Sequence, residues 1–299
     1  MNVVGRPDLS AFGDAVSRLG PTDRVVVGGY VLIGVVLIVD LIRPRYTRKP
    51  SPARLASLLA TAAVSFVLAV PFAVVLGREW AMIRSLSPPG LVGWWSTHPV
   101  PAFVTCFVVV DMVAYLYHWV GHTTRVGWAS HRVHHLGAEF DMGLILRQPW
   151  LPVHGLIVVP LSAFAGFSFE VAAVCSTVSL TYQAVQHTSR SWGLGRAEAV
   201  LVSGRAHRQH HLIGAGGVNL GAVFSVWDRA FGTFEPAAVP PGAVYGIGEP
   251  EPVNPLRIQA DGWRRLATGP VPAGLRNSEP RAAVADRPST KLTERLGKR

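Results

Sequence analysis

Histidine is the residue type in this sequence whose number and spacing could do chemistry. The chain contains 11 histidines, and eight of them lie in three short clusters. The clusters are HWVGH, with His118 and His122; HRVHH, with His131, His134 and His135; and HRQHH, with His207, His210 and His211. Two copies of H-x-x-H-H are not expected by chance at this histidine frequency, so the clustering indicates a chemical cause.

The spacing within each cluster suits metal binding. Positions i, i+3 and i+4 of a helix lie on one face, so each cluster is expected to project two or three imidazoles in one direction. Neutral imidazole binds iron, zinc, copper and nickel, and no cluster contains cysteine. Eight nitrogens exceed the roughly four to six ligands of one metal ion, so the sequence predicts two metals close together.

The other three histidines are isolated. His98 and His154 have no neighbouring ligand residues, so they are expected to be ordinary structural residues. His187, in QAVQHTSRS, follows a long apolar stretch and could return to the level of the clusters. Spacing alone leaves open whether it is a ninth ligand.

Two polar residues precede the first cluster on the same stripe of a predicted helix. Tyr115 lies four residues after Asp111 and three residues before His118. Either side chain could orient a metal-binding histidine. Alternatively, Asp111 is a buried acid that bonds to a neighbouring helix.

The composition indicates a membrane protein. The chain is 49% hydrophobic and 15% charged, with a mean hydropathy of +0.30, whereas soluble proteins carry about 25% charged residues. The net charge of +10 lies mainly in loops and the C-terminal tail, which argues against nucleic-acid binding. Cys106 and Cys175 lie within apolar runs and are expected to be packing residues.

Apolar stretches at 25–42, 55–77 and 100–119 predict three spanning helices. The region 150–187 is too long for one span and is broken near Glu170, so a helical hairpin or a pair of helices is expected there. The first apolar run starts too far into the chain for a cleaved signal peptide. The predicted fold class is an all-α integral membrane helical bundle.

Basic residues predict which side of the membrane carries the histidines. The loop 43–54 holds five basic residues and no acid, so the positive-inside rule places it in the cytoplasm. The segment 121–147 then also lies inside, which gives a cytoplasmic histidine-lined catalytic cap. The predicted divisions are a polar segment (1–24), leading transmembrane helices (25–99), the three-box catalytic region (100–235) and a Pro/Arg-rich, partly disordered tail (236–299).

A histidine-rich metal pair beside a membrane favours oxidation of apolar chains or rings with dioxygen. Zinc hydrolysis is disfavoured because it usually needs a carboxylate base, and no glutamate lies inside any cluster. A metal carrier remains an alternative, although its histidines would line a path across the bilayer rather than gather at one side.

The three clusters, in this order and around spanning helices, resemble the fatty acid hydroxylase and sterol desaturase superfamily of integral-membrane di-iron enzymes. The matching stretches within 100–235 are DMVAYLYHWVGH, SHRVHH and GRAHRQHHLIGAGGVNLGAVFSVWDRAFGTF. The resemblance implies two bound iron ions. It implies nine ligands: His118, His122, His131, His134, His135, His187, His207, His210 and His211.

The stretch after the third cluster carries the superfamily's trailing signature, which includes Asn219 and Asp228. Both are candidates, with Asp111 and Tyr115, for residues that position the ligands. Asp228 and Arg229 are interpreted as structural ion-pairing residues rather than catalytic ones. The sequence departs from the family at Trp119, where Arg is usual, and at Leu220, where Tyr is usual.

The resemblance implies an oxidoreductase that hydroxylates or desaturates a lipid, whether a sterol, a fatty acyl chain, a carotenoid or an ether lipid. No flavin, haem or nicotinamide fingerprint occurs in the sequence. A separate electron-donor protein, of ferredoxin or cytochrome type with its reductase, is therefore expected as a partner, besides dioxygen and membrane lipids. The alternative is a non-catalytic metal- or lipid-binding membrane protein of the same fold.

Overall fold

The regular secondary structure of the described residues is helical. A computed structural model describes residues 19–45, 47–149, 153–249 and 254–268. These residues contain isolated bridges, Leu201 with Phe224 and Leu212 with Tyr245, but no strand. Their α-helices are α1 (Pro21–Ile42), α2 (Pro52–Ser85), α3 (Pro89–Thr97), α4 (Pro99–Thr123), α5 (Arg125–His131), α6 (Val153–Phe164), α7 (Phe169–Gln186), α8 (Gly204–His210), α9 (Val226–Ala230) and α10 (Pro255–Thr268). The all-α prediction is confirmed.

Three helices, α1, α2 and α4, are long and apolar enough to cross a membrane. They contain the three stretches that hydropathy predicts. Only 6% of the most apolar stretch of α1 is buried inside the protein, and large apolar side chains such as Val35 and Phe66 point outward. An apolar surface of this kind is suited to hydrocarbon rather than water.

The predicted hairpin is confirmed. It consists of α6, with 12 residues, and α7, with 18. The chain turns at Gly166, which has a φ of +82°, and Ser168 then caps α7 by accepting a hydrogen bond from the Val171 amide. Residues 150–152, at the start of the predicted hairpin, lie outside the described residues.

The core of the bundle forms where α7 packs against α1 and α4. A Cβ atom at Gly29 of α1 would lie 2.6 Å from Thr177 Cγ2 and 2.9 Å from Thr181 Oγ1 of α7, so only glycine allows this approach. Cys106 and Cys175 are unpaired and buried in the same apolar cluster. The prediction that they are packing residues is confirmed.

Polar contacts gather the ends of the helices at one end of the bundle. Asp40, near the end of α1, is buried and accepts hydrogen bonds from the amides of Met142 and Ser189. Arg54, at the start of α2, binds both carboxylate oxygens of Asp141 at 2.7 and 3.1 Å. The basic loop therefore lies at the same end as the segment that follows α5.

The C-terminal region contains a helix that composition did not predict. Helix α10 packs against α5, and its Ile258 is buried with Val133 and Leu136. Gly262 lies so close to the Ala129 carbonyl that a Cβ atom there would clash with it. The prediction missed α10 because it has a single narrow apolar face and no long apolar run. Of the segment 268–299, predicted to be disordered, residues 269–299 lie outside the described residues.

We expect Gly29→Ala to destabilise the protein relative to Gly28→Ala, because a Cβ at position 28 meets no atom within 4 Å. Both changes raise helix propensity equally, so their difference isolates the overpacking, which typically costs about 1–3 kcal/mol. Thermal unfolding of the two variants in the same detergent measures it. Equal midpoints would show that α1 and α7 do not pack closely at this position.

Candidate metal centre

The ends of short and long helices deliver all nine predicted ligands to one place. His118 and His122 lie on the last turns of α4, and His187 directly follows α7. His131 ends α5, and α8 carries His207 and His210. The remaining three, His134, His135 and His211, lie in the turns that follow α5 and α8.

The rings form two groups that could each hold a metal ion. In each group, one ligand atom from every residue lies within 4.8 Å of all the others. The five-histidine group consists of His118, His122, His131, His135 and His210, and the four-histidine group consists of His134, His187, His207 and His211. His187, which spacing left open, belongs to the four-histidine group.

Each H-x-x-H-H cluster is divided between the two groups, which differs from the expectation that its rings share one direction. His131 and His135 lie in the five-histidine group, whereas His134 lies in the other. His131 and His135, four residues apart, stay in one group, and the histidine three residues after the first is the one that lies in the other group. In the third cluster, only His210 lies in the five-histidine group, and His207 and His211 lie in the four-histidine group.

Backbone carbonyls orient three of the rings. Nδ1 of His118 lies 2.8 Å from the Leu220 carbonyl, Nδ1 of His210 lies 2.9 Å from that of Val218, and Nδ1 of His187 lies 2.8 Å from that of Gln183. A carbonyl only accepts, so in each ring Nδ1 carries the proton. The unprotonated Nε2 atoms are left to face the groups, as in metal-binding histidines.

These unprotonated nitrogens face one another at hydrogen-bond distance. Nε2 of His118 lies 3.1 Å from Nε2 of His210, although both rings hold their proton on Nδ1. Both ring nitrogens of the buried His122 have no hydrogen-bond partner. Facing lone pairs and an unsatisfied buried imidazole are both stabilised by a cation, so the residues present fit a metal ion.

The histidines outside the spanning helices are held in their neutral form. Burial, together with the neighbouring imidazoles, lowers the pKa of His131, His134, His135, His207 and His211 well below the usual range. Burial also lowers the pKa of His187 to about 4. Neutral imidazole is the form that binds metals, so the groups are ready to coordinate at neutral pH.

Asp111 anchors the segment that follows the third cluster. Its carboxylate accepts hydrogen bonds from the amides of Val223 and Phe224 at 2.8 and 3.2 Å and from the Trp227 indole at 2.8 Å. These contacts are with backbone and indole rather than with a histidine. They match the alternative in which Asp111 is a buried acid bonded to a neighbouring element.

Asp228 acts on His118 through the backbone. It accepts hydrogen bonds from the amides of Leu220 and Gly221 at 2.7 and 2.9 Å, and the Leu220 carbonyl is the partner of His118. Thr233 donates to Asp228 at 2.7 Å, and its Oγ1 also lies 3.0 Å from the Tyr115 hydroxyl. Tyr115 therefore joins the same network. Burial raises the pKa of Asp228, against the effect of the hydrogen bonds that it accepts.

Asn219 holds the turn between the two carbonyls that orient His210 and His118. It has a φ of +52°, which asparagine tolerates better than most residues. Its Oδ1 accepts a hydrogen bond from the Glu235 amide. Arg229 donates to the carbonyls of Glu198 and Ala199, so the structural interpretation of this stretch holds, although its partners are carbonyls rather than acids.

The departures from the family pattern leave these contacts in place. Leu220 uses its backbone, so the usual Tyr is not needed for the bond to His118. Trp119 is 40% exposed on α4. His98 and His154 belong to neither group, as predicted.

Sequence reasoning missed two arginines at the centre. Arg132 and Arg208 each follow the first histidine of an H-x-x-H-H cluster, and both are almost fully buried, at 3% and 2% exposure. The signal was present in the sequence as the repeated pair His-Arg.

Comparison with known proteins agrees with this geometry. Residues 103–233, which contain all nine histidines, match the family model described as fatty acid hydroxylase. This region belongs to the fatty acid hydroxylase and sterol desaturase superfamily. The resemblance that the three clusters indicate is confirmed, and the matched region is called the hydroxylase domain below.

Proteins similar to this chain include alkylglycerol monooxygenases. The chain is 32% identical to the human protein over 160 residues, covering 52% of this chain and 35% of the relative. It is 30% identical to the Danio rerio protein over 167 residues, covering 52% of this chain and 33% of the relative. The match thus spans about a third of the length of these relatives. No solved structure matches the chain.

We expect His210→Ala to lower the metal bound per chain, because this ring contributes to the five-histidine group and faces both His118 and His135. His98→Ala is the matched control, since His98 contacts only the end of α3, through the Trp94 carbonyl and Thr97. Elemental analysis of the purified variants measures the metal content. Equal metal in both variants would contradict the assignment of His210.

We expect Asp228→Asn to loosen the hydroxylase domain, since the amide oxygen cannot replace both carboxylate oxygens and a buried N–H is left unpaired. The cost is about 1–3 kcal/mol. Glu235→Gln is the control, because the Glu235 carboxylate makes no hydrogen bond or ion pair among the described residues, and only its backbone amide is used. Thermal unfolding and the rate of metal loss to a chelator both report the effect. Unchanged values in Asp228→Asn would remove it from the network.

Proposed function

We propose that this protein is a membrane-bound di-iron oxidoreductase that uses dioxygen to hydroxylate a lipid. The observation that carries the proposal is the pair of all-histidine groups, in which Nε2 of His118 and of His210 face each other at 3.1 Å. The match to the fatty acid hydroxylase family supports the same activity.

Iron fits the two groups better than zinc. Structural zinc is almost always bound by four ligands, and catalytic zinc by three protein ligands with a base nearby. Here one group offers five imidazoles and the other four, and neither includes a carboxylate. Imidazole ligands with positions left open suit an iron pair that reacts with dioxygen.

The name of the relatives favours one class of lipid substrate and one type of reaction. Because they are alkylglycerol monooxygenases, we propose an alkylglycerol as the first substrate to test, ahead of sterols and fatty acyl chains. A monooxygenase inserts one oxygen atom, so hydroxylation is favoured over desaturation. The balance is a C–H bond, dioxygen, two electrons and two protons giving an alcohol and water.

The chain's own residues supply position and surroundings for this reaction. The bound irons would supply the activation of dioxygen. The histidines hold the metals, and the carbonyls of Leu220 and Val218 fix the rings of His118 and His210. The outward apolar surfaces of α1 and α2 place the domain in hydrocarbon, from which a lipid substrate can arrive. Burial of the histidines keeps bulk water away from the reacting carbon.

The two electrons come from outside the hydroxylase domain in this proposal. The sequence has no flavin, haem or nicotinamide fingerprint. We propose a separate electron-donor protein of ferredoxin or cytochrome type with its reductase. Dependence of turnover on an added donor tests this, and turnover with a small reductant alone would contradict the need for a protein partner.

We also propose an orientation in the membrane and limits for the catalytic region. The basic loop 43–54 lies at the histidine end, where Arg54 binds Asp141. By the positive-inside rule, this end is cytoplasmic in a multi-pass protein of the cell membrane. The catalytic region is 100–235, preceded by the leading helices of 25–99. Within the tail 236–299, α10 packs on the catalytic region.

We expect the protein purified in detergent to contain about two irons per chain, one for each histidine group. With dioxygen and a reducing system, it should convert an alkylglycerol to a hydroxylated product detected by mass spectrometry. His210→Ala should give no product, and His98→Ala should match the unmodified protein. Bound iron without any lipid product would favour the non-catalytic alternative. Replacement of iron by zinc during expression is controlled for by reconstituting the metal-free protein with ferrous iron.

A further inference from the structure

The two H-x-x-H-H clusters differ in the charge that lies beside them. Each cluster has an arginine after its first histidine, Arg132 in the second cluster and Arg208 in the third. Both arginines are buried. Equal sequence patterns would suggest equal electrostatic surroundings for the two clusters, but the structure gives the arginines different partners.

Arg132 is neutralised by two acids. Its guanidinium binds Asp261 of α10 at 2.6 Å and Glu249 at 2.9 Å. Arg265 in turn binds the same two acids. The positive charge beside the second cluster is therefore compensated within the protein.

Arg208 has no acid beside it among the residues that the structure describes. It donates to the Thr188 carbonyl at 3.0 Å and to the Tyr245 hydroxyl at 3.2 Å, and its buried Nε has no partner. Among the described residues, no carboxylate lies within 4.0 Å of it. A buried cation held only by neutral groups is costly, and it attracts negative charge strongly because the surroundings screen it little.

One aromatic ring separates this charge from the four-histidine group. The Arg208 guanidinium lies 4.5 Å from the centre of the Phe140 ring. Phe140 is fully buried, lies 5.0 Å from the His211 ring and stacks on the His187 ring at 5.8 Å. Tyr245 covers the outside of this stack, 5.5 Å from Phe140.

We propose that Arg208 makes the four-histidine group the anion-accepting member of the metal pair. The inference rests on the proposed di-iron function. The four-histidine group offers one imidazole fewer than the five-histidine group, so an iron held there would keep more room for an added ligand. The charge of Arg208, which no described carboxylate compensates, would add an attraction for a small anion at that group. Arg208 is a positioning residue, because it acts through its field and not by contact with a metal.

Azide binding to the iron-loaded, oxidised full-length protein tests the proposal without turnover. The absorption band of the azide complex gives its dissociation constant, and the iron content is measured on the same samples. We expect Arg208→Gln to weaken azide binding about tenfold, whereas Arg208→Lys, which keeps the charge, should stay within about threefold of the unmodified protein. Equal affinity in the Gln and Lys variants, with two irons retained, would overturn the proposal.

A second pair of variants leaves Arg208 in place. Tyr245 is partly exposed, so Tyr245→Glu can place a carboxylate beside the Arg208 guanidinium without burying the new side chain fully. We expect Tyr245→Glu to weaken azide binding about as much as Arg208→Gln, and Tyr245→Gln to have little effect. Nitric oxide, which is neutral, should bind the reduced forms of all these variants alike. Parallel losses of azide and nitric oxide would show disruption of the site and overturn the electrostatic account.

The result also separates this inference from the proposed function. A protein that retains no iron overturns the di-iron function, and the inference about Arg208 falls with it. A protein that holds two irons and shows no charge effect on azide overturns the inference alone. The lipid assay plays no part in this decision.

Discussion

Unprotonated imidazole nitrogens that face one another repel unless a cation lies between them, and those of His118 and His210 do so where nine histidine rings meet at one end of this bundle. The rest of the structure can be understood from that constraint. Helices α4 and α7 end at the same level, where they deliver His122 and His187. The carbonyls of Val218 and Leu220 then turn two rings inward. A bundle whose helices ended at different depths could not bring these nitrogens together.

Buried acids hold this arrangement without taking part in it. Asp40, Asp111 and Asp228 are each almost fully buried, and each accepts hydrogen bonds from backbone amides. A carboxylate in this role satisfies amides that would otherwise be costly to bury. None of these three acids is among the candidate metal ligands, so both donor sets are purely imidazole, and metal ions held there would carry a high positive charge. The charge of Arg208 adds to it on one side only.

The sequence predicted the parts of the fold that depend on composition and local spacing. The three spanning helices and the hairpin follow from hydropathy, and the eight clustered histidines follow from spacing. The division of His134 from His131 and His135 could not be predicted, because it depends on which rings the other helices bring beside them. The approach of α1 to α7 at Gly29 and the packing of α10 through Ile258 depend on tertiary contacts, which a single sequence does not show.

The division of each H-x-x-H-H cluster between the groups has a consequence for how the centre is assembled. One short turn carries His134 toward one metal position and His135 toward the other, and α8 does the same with His207 and His210. Binding of a first ion would fix the backbone that presents ligands to the second, so uptake of the two ions is expected to be cooperative. A chain with a single ion would then be scarce at equilibrium, and the protein would exist mainly as the fully loaded and the empty forms.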